Sequence, residues 1–491
     1  MSMSRPTLRL VGPLARLLRI TYLLVFPALL LPYGSVEPGP LHLGATISFV
    51  ISAIALLLSA PGTSNRLAFG VASALAIGLT GWILFQASDY APAGMANSIW
   101  DTAAAYYGAS SHSISVAPAD TIQGLVAVLL PFSIFLSGLC LFKEDDQALL
   151  VIRCLALIGG AIAAFGLVQF LFFPNMLMFE TKTLYLNSLT TVFVNRNTAA
   201  TFLGMTVLFG SALAFSHIQN AGLGHFWRRI VGARSLTKST DLAWTALYLF
   251  CALLAFSALL LTRSRAGLAA TMVALLFLVF MLSYLGGQRS QQSSRSGFSS
   301  SRTGLAVRLA RAFGAVALLI GIGLLFSERA LLRAEIQGAD DGRFCIMPGL
   351  LRLTSDNLMT GTGLGTFRMV FPAYKDPTCG LFGTWERAHN FYLDGVIALG
   401  LPFLLATLCT IIVLIWIFVR GIGARRKLRW APVLGLSVLF LQMLHNIVDF
   451  SIQIPAVAAV FAGSMAACIT LSTNRTSSTS RGKHSAPAVS V

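Results

Sequence analysis

The stretch that decides the fold reads AWTALYLFCALLAFSALLLT over residues 243–262, then Arg263-Ser264-Arg265, then AGLAATMVALLFLVFMLSYL over 266–285. Neither apolar run contains an Asp, Glu, Lys or Arg. About 20 apolar residues at 1.5 Å per residue match the roughly 30 Å hydrocarbon core of a bilayer. Two such runs joined by three polar residues read as a helical hairpin that crosses a membrane twice.

The rest of the chain repeats this pattern. Of its 491 residues 56% are hydrophobic and only 11% charged, where a soluble domain carries about 25% charged. Mean hydropathy is +0.77. Candidate spans fall at about 17–34, 42–60, 68–87, 121–142, 148–173, 195–216, 243–262, 266–285, 310–326, 391–418, 431–448 and 454–471. This predicts an all-α membrane protein of about 12 transmembrane helices. A β-barrel would alternate over ten-residue segments, and no such segments occur.

Charge supplies an independent check, because cytoplasmic loops are enriched in Lys and Arg. With the N-terminus inside, 24 basic and four acidic residues fall on the inner side, a net +20. Eleven basic and fourteen acidic residues fall outside, a net −3. Both termini are therefore expected in the cytoplasm, with one large periplasmic loop between spans 9 and 10. The overall charge of +17 reflects this sorting, and nucleic acid is not expected as a partner. The N-terminal run Ile20 to Leu31, preceded by Arg5, Arg9, Arg16 and Arg19, continues into Pro32-Tyr33-Gly34 with no small-residue cleavage site. It reads as an uncleaved first span.

Five regions follow: N-terminal spans (1–190), spans around the Ser-Arg motif (191–326), the large outer loop (327–390), C-terminal spans (391–471) and a disordered cytoplasmic tail (472–491). The outer loop near 88–120 is polar and carries no evident chemistry. Five cysteines lie within spans, whereas Cys345 and Cys379 share the large loop. In an oxidising periplasm they either pair or remain thiols. A disulfide closing roughly 35 residues would stabilise the loop by about 3–4 kcal/mol.

Topology gathers polar residues that are distant in sequence at the outer face: Asn195 and Asn197, Arg263 and Arg265, Arg343, His389, and His445 with Asp449. Arg263 and Arg265 read either as snorkelling interface anchors or as anion ligands, since a guanidinium grips phosphate oxygens bidentately. Residues two apart do not share a helical face, so one of the two is expected to bind. Arg343 follows Asp340-Asp341-Gly342 and reads as a surface ion pair or a second phosphate ligand. Gly361, Gly363 and Gly365 lack the Lys-Ser/Thr of a nucleotide-binding loop and read as a tight turn. His389, beside Asn390 and Tyr392, titrates near neutrality as a general base must. His445 and Asp449 are four apart, placing them on one face of a helix end, where a local hydrogen bond is the simpler reading. No His/Cys/Asp/Glu cluster has metal-ligand spacing.

The motifs Phe193-Val194-Asn195-Arg196-Asn197, Ser264-Arg265-Ala266-Gly267, Gly342-Arg343, Gly361-Thr362-Gly363-Leu364-Gly365-Thr366-Phe367, His389-Asn390-Phe391-Tyr392-Leu393 and His445-Asn446-Ile447-Val448-Asp449-Phe450 occur in this order. Together they resemble the bacterial O-antigen ligase and O-antigen polymerase superfamily of polytopic membrane glycosyltransferases. The resemblance implies an inner-membrane enzyme, without cofactor, nucleotide sugar or metal, that moves a glycan from a polyprenyl (undecaprenyl) diphosphate carrier to a lipid or glycan acceptor hydroxyl at the periplasmic face. Inversion at the anomeric carbon follows from direct in-line displacement. In that assignment Arg265 and Arg343 clamp the diphosphate and His389 deprotonates or orients the acceptor. Asn195, Asn197, Arg263, Asn390, Tyr392, His445 and Asp449 support them. Pro348 departs from the family pattern and is expected to interrupt the helix after Arg343. Ligase and polymerase share this donor chemistry and are not separated by sequence. A transporter or flippase of lipid-linked glycans is the alternative of a different class, but such proteins carry ionisable groups near the midplane, which looks empty here.

Overall fold

The computed structural model describes residues 12–92, 94–108, 111–221, 239–292, 342–376, 384–425 and 428–474. The chain runs through α1 (Gly12–Leu30), α2 (Pro38–Leu58), α3 (Arg66–Ala87), the short α4 (Ile99–Tyr107), α5 (Pro118–Leu141) and α6 (Asp145–Phe172). A small antiparallel hairpin, β1 (Met176–Leu177) and β2 (Glu180–Thr181), pairs Met176 with Thr181. Then come α7 (Arg196–Ala221), α8 (Ser239–Leu261), α9 (Arg265–Gln292), α10 (Gly342–Asp356), α11 (Phe367–Val370), α12 (Phe391–Leu399), α13 (Leu401–Ala424), α14 (Trp430–His445) and α15 (Pro455–Thr473).

Among the described residues, ten helices are long and apolar enough to cross a membrane: α1, α2, α3, α5 through α9, α13 and α15. The apolar α14 is shorter, at 16 residues. The expected span at 310–326 and the tail beyond Asn474 lie outside the described residues.

Burial ranks the helices. The spanning windows of α7 and α15 are 89% buried, against 17% for α3 and α13. The first pair is therefore the axis of the bundle, and the second faces outward. In lipid such burial rests on close packing of small side chains, because tails are as apolar as leucine. A Cβ added to Gly204 of α7 would lie 2.3 Å from Thr271 Oγ1 of α9, and one on Gly210 would lie 2.7 Å from the Tyr248 carbonyl of α8.

Two expectations are corrected. The apolar run 391–418 is not one helix: it breaks at Gly400, at φ +67°, into α12 and α13. A Cβ there would meet the Met359 carbonyl at 2.5 Å, and Pro402 in the first turn of α13 starts the second helix. The carbonyls freed at the end of α12 are satisfied from elsewhere. Thr362 N donates to Ile397 O (2.8 Å) and Gly363 N to Ala398 O (3.0 Å). Gln86 Nε2 also reaches Ala398 O (3.0 Å), and Trp82 Nε1 reaches Leu399 O (2.8 Å). The glycine-rich turn is thus the plug of a broken helix, which buried non-helical backbone requires. The segment near 88–121 braces this plug from the other side. Val116 N donates to Thr362 O (3.0 Å), and Thr121 Oγ1 to Leu364 O (3.1 Å).

Pro348, expected to interrupt a helix, lies inside α10, which continues through it. Ile346, Leu350 and Leu353 line one helical face and bury against Phe367, Phe371, Ala388 and Ile397. That apolar stripe holds the helix together despite the missing amide, a loss of about 3 kcal/mol in an isolated interior. The described part of the large loop is therefore a folded cap with its own small core.

Opposite ends of the bundle carry separate polar clusters. At one, Arg425 pairs with Asp145, while Asn474 Nδ2 donates to Lys143 O (2.8 Å) and Asp145 Oδ1 (3.0 Å). At the other, α7 and α9 begin and α14 ends.

Candidate active site

Three helix ends converge here, and their first turns are capped by one another's neighbours. Asn195 Oδ1 accepts from Asn197 N (2.8 Å) at the start of α7. Ser264, immediately before α9, accepts from Gly267 N (3.3 Å) and donates to Asn197 Oδ1 (2.8 Å). Such side-chain acceptors satisfy the amides that every helix start leaves open. Asn197 Nδ2 donates in turn to Asp449 Oδ1 (3.2 Å), and Ser451 Oγ closes on Asp449 Oδ2. Thr201 Oγ1 lies 2.5 Å from His445 Nδ1 on α14. Gly267 permits the convergence, since a Cβ there would stand 2.5 Å from Ala200 Cβ and 3.3 Å from His445 Cε1. Asn197, Ser264, His445 and Asp449 are all buried.

The cap docks on the same turn. Asn390 caps α12, its Oδ1 accepting from Tyr392 N and Leu393 N (3.0 Å each), while its Nδ2 donates to Ile447 O (2.7 Å). Phe391 N is shared by Asn446 O (3.0 Å) and Asp449 O (3.1 Å), and Tyr392 Oη donates to Met443 O (3.1 Å). Asp394, buried in the first turn of α12, accepts from Ala388 N (3.0 Å) and Gln453 Nε2 (2.7 Å). Between these fixed points stands His389, in left-handed backbone at φ +52°. Its ring meets Trp385 edge-on at 5.4 Å and Phe450 at 5.0 Å. A non-glycine residue in that region costs on the order of 1–3 kcal/mol and persists only where its surroundings over-determine it. Arg387 also lies over the Phe450 ring, at 5.6 Å, and its Nη1 donates to Gln453 Oε1 (2.8 Å).

The rim is cationic. Arg263, at φ +57°, makes the tight turn between α8 and α9, and Arg265 opens α9; both side chains are exposed while Ser264 between them turns inward. Arg196 opens α7 with its guanidinium 5.3 Å from the Tyr185 ring. Nearby in the α6–α7 connection, Lys182 Nζ donates to Ser188 O (2.6 Å), and burial pushes its ammonium below the usual lysine range.

Asn195, Asn197, His389, Asn390, Tyr392, His445 and Asp449 are thus brought together, and Arg263 and Arg265 stand at their edge. Asp449 does not lie on the helix that ends in His445: α14 stops there with Asn446 as its cap. Asp449 faces Asn197 across the bundle instead. Arg343 lies in the first turn of α10; its side chain lies outside the described residues, as does Cys379. Cys345 is disulfide-bonded, and Cys140, Cys154, Cys251, Cys409 and Cys468 are free thiols. Sequence reasoning gave no site role to Thr201, Asp394, Ser451, Gln453 or Phe450. Asp394, an acid opening an apolar span, carried a usable signal; the others are ordinary residues until the contacts are known. Among the described residues, no group of three or more His, Cys, Asp or Glu side chains is arranged to hold a metal ion.

Residues 250–408 match the family model described as O-antigen ligase. That segment runs from within α8 to within α13 and includes Arg263, Arg265, Arg343, His389, Asn390 and Tyr392. No curated protein matches the chain.

Proposed function

We propose that this chain, a member of the O-antigen ligase/polymerase superfamily, transfers a glycan from a polyprenyl diphosphate carrier to an acceptor hydroxyl. One observation carries the reading. A continuous hydrogen-bonded frame runs from the Arg265 turn, through Ser264, Asn197 and Asp449, to the α12 start that holds His389. It fixes a cationic rim and a strained histidine on one rigid support, as positioning catalysis demands.

In the proposed reaction the acceptor oxygen attacks the anomeric carbon as the bond to the diphosphate oxygen breaks. The hydroxyl proton passes to His389, and the electron pair leaves with the lipid diphosphate. Arg265 and Arg343 stabilise that developing charge. Displacement in line inverts the anomeric centre. Asp449, Asn197 and Ser264 position, and His445 holds α14 to α7 through Thr201. The charge partition across the spans supports placing this end in the periplasm, with the Arg425–Asp145 end in the cytoplasm, of a bacterial inner membrane.

The test is transfer by the purified full chain from a polyprenyl-diphosphate glycan of known anomeric configuration. Product of opposite configuration is expected; retained configuration would overturn the single-displacement mechanism. In cells lacking the protein, full-length polymer left on its carrier marks a ligase, whereas single repeats mark a polymerase.

A further inference from the structure

Arg196 has no role in the frame just described, although both its neighbours do. Its Nε is buried and makes no hydrogen bond. Its one described contact is the face of Tyr185. A half-buried guanidinium with an unmet donor carries a desolvation cost that a passing surface residue would avoid. The cost is recovered when an anion arrives.

The position names the anion. Arg196 is the first residue of α7, and Arg265 the first of α9. The Asn197–Ser264 hydrogen bond (2.8 Å) and the Ala200–Gly267 contact join these two helix starts directly. Packed helices stand about 8–10 Å apart, so the backbones of Arg196 and Arg265 open neighbouring helices at one seam. Both helices point their positive ends at that seam. Two planar forks on either side of it fit a group with oxyanions at both ends, and a diphosphate is such a group.

We infer that Arg196 is a further substrate-binding residue, taking an oxyanion of the lipid-linked diphosphate across the α7–α9 seam from Arg265. This rests on the donor reading above. Tyr185 keeps the guanidinium oriented while the site is empty, through a contact on the order of 0.5–1 kcal/mol.

The experiment measures binding of radiolabelled polyprenyl diphosphate, bearing no glycan, to the purified full chain in detergent, in parallel with glycan transfer. Arg196→Gln is expected to weaken binding roughly tenfold or more, in line with one lost charged hydrogen bond. It should raise KM for the donor more than it lowers kcat, with thermal stability unchanged. Arg196→Lys, which keeps the charge but loses the fork, should recover part of the affinity. Should Arg196→Gln fail to fold, Arg196→Lys alone decides: roughly threefold weaker binding or more supports the inference, and unchanged binding overturns it. Unchanged binding with reduced thermal stability in Arg196→Gln would make the residue a structural anchor for Tyr185 and overturn it as well. So would an effect that vanishes in excess phosphatidylglycerol, which would mark a bulk headgroup contact. Wild-type protein that transfers glycan while its Arg196 variants bind normally sinks the inference alone. Arg196-dependent binding without any transfer sinks the enzyme reading and leaves the binding site standing.

Discussion

The two ends of the bundle are built from similar residues to different purposes. At the Arg425 end, the buried guanidinium faces Asp145 and the Asn474 carbonyl, Asn65 Nδ2 donates to Thr470 Oγ1 (2.9 Å), and Thr473 Oγ1 donates to Asn65 Oδ1. Each strong group there is answered by another, which makes the cluster a clamp between α3, α6, α13 and α15. At the other end, Asn197 and Asp449 are equally well answered, yet the frame they form terminates in a histidine of strained backbone and a rim of arginines. A polar network that closes on itself holds a fold. One that ends in a strained histidine and a rim of arginines is, in the proposed reading, where the substrate is held.

Substitutions at both ends can break that distinction. The largest effect is expected from His389→Ala: glycan transfer should fall roughly 100- to 10,000-fold, while membrane abundance stays normal; thermal stability is not expected to rise, because alanine keeps the Cβ that strains left-handed backbone. Asp449→Ala should do both kinds of harm. It leaves Asn197 Nδ2 and Ser451 unanswered in a buried site, a loss of roughly 1–3 kcal/mol, readable as a lower unfolding temperature together with weakened transfer.

Arg425→Ala is the counterpart at the clamp. Asp145 is 31% exposed, so solvent takes up part of the loss, and a drop of about 1–2 kcal/mol is expected. Transfer per folded molecule should not change; if it falls as far as in Asp449→Ala, the two ends are not functionally distinct. Gly400→Ala tests the cap's attachment. Strain at φ +67° and collision with Met359 should lower stability by more than about 1 kcal/mol and loosen the cap, seen as faster proteolysis.

The smallest effect concerns pH. Because Lys182 has a lowered pKa when folded, the unfolded chain binds more protons between that value and the ordinary lysine value. Stability should therefore rise with pH across this window, and Lys182→Met should flatten the rise in thermal melts recorded from neutral to alkaline pH.

Much of this was legible in the sequence, because membrane helices announce themselves by length and composition. Asn195, Asn197, Arg265, His389 and Asp449 could be gathered by topology alone, since alternate loops must share a face. What stayed hidden was whatever depends on a partner far along the chain. The Asn197–Asp449 bond spans 252 residues and the Thr201–His445 contact 244, and no local pattern encodes either. The break at Gly400 was different: glycine followed two residues later by proline is a helix-stop and helix-start signature, masked by the apolar run around it. Pro348 misled in the opposite direction, because the burial of Ile346, Leu350 and Leu353 outweighs local propensity.

The most direct measurement is glycan transfer from a polyprenyl-diphosphate donor to a defined acceptor, by purified wild type beside His389→Ala, Arg265→Ala and Arg343→Ala. Transfer by the wild type and its loss in all three folded variants is expected. Near-normal transfer in all three would refute the mechanism.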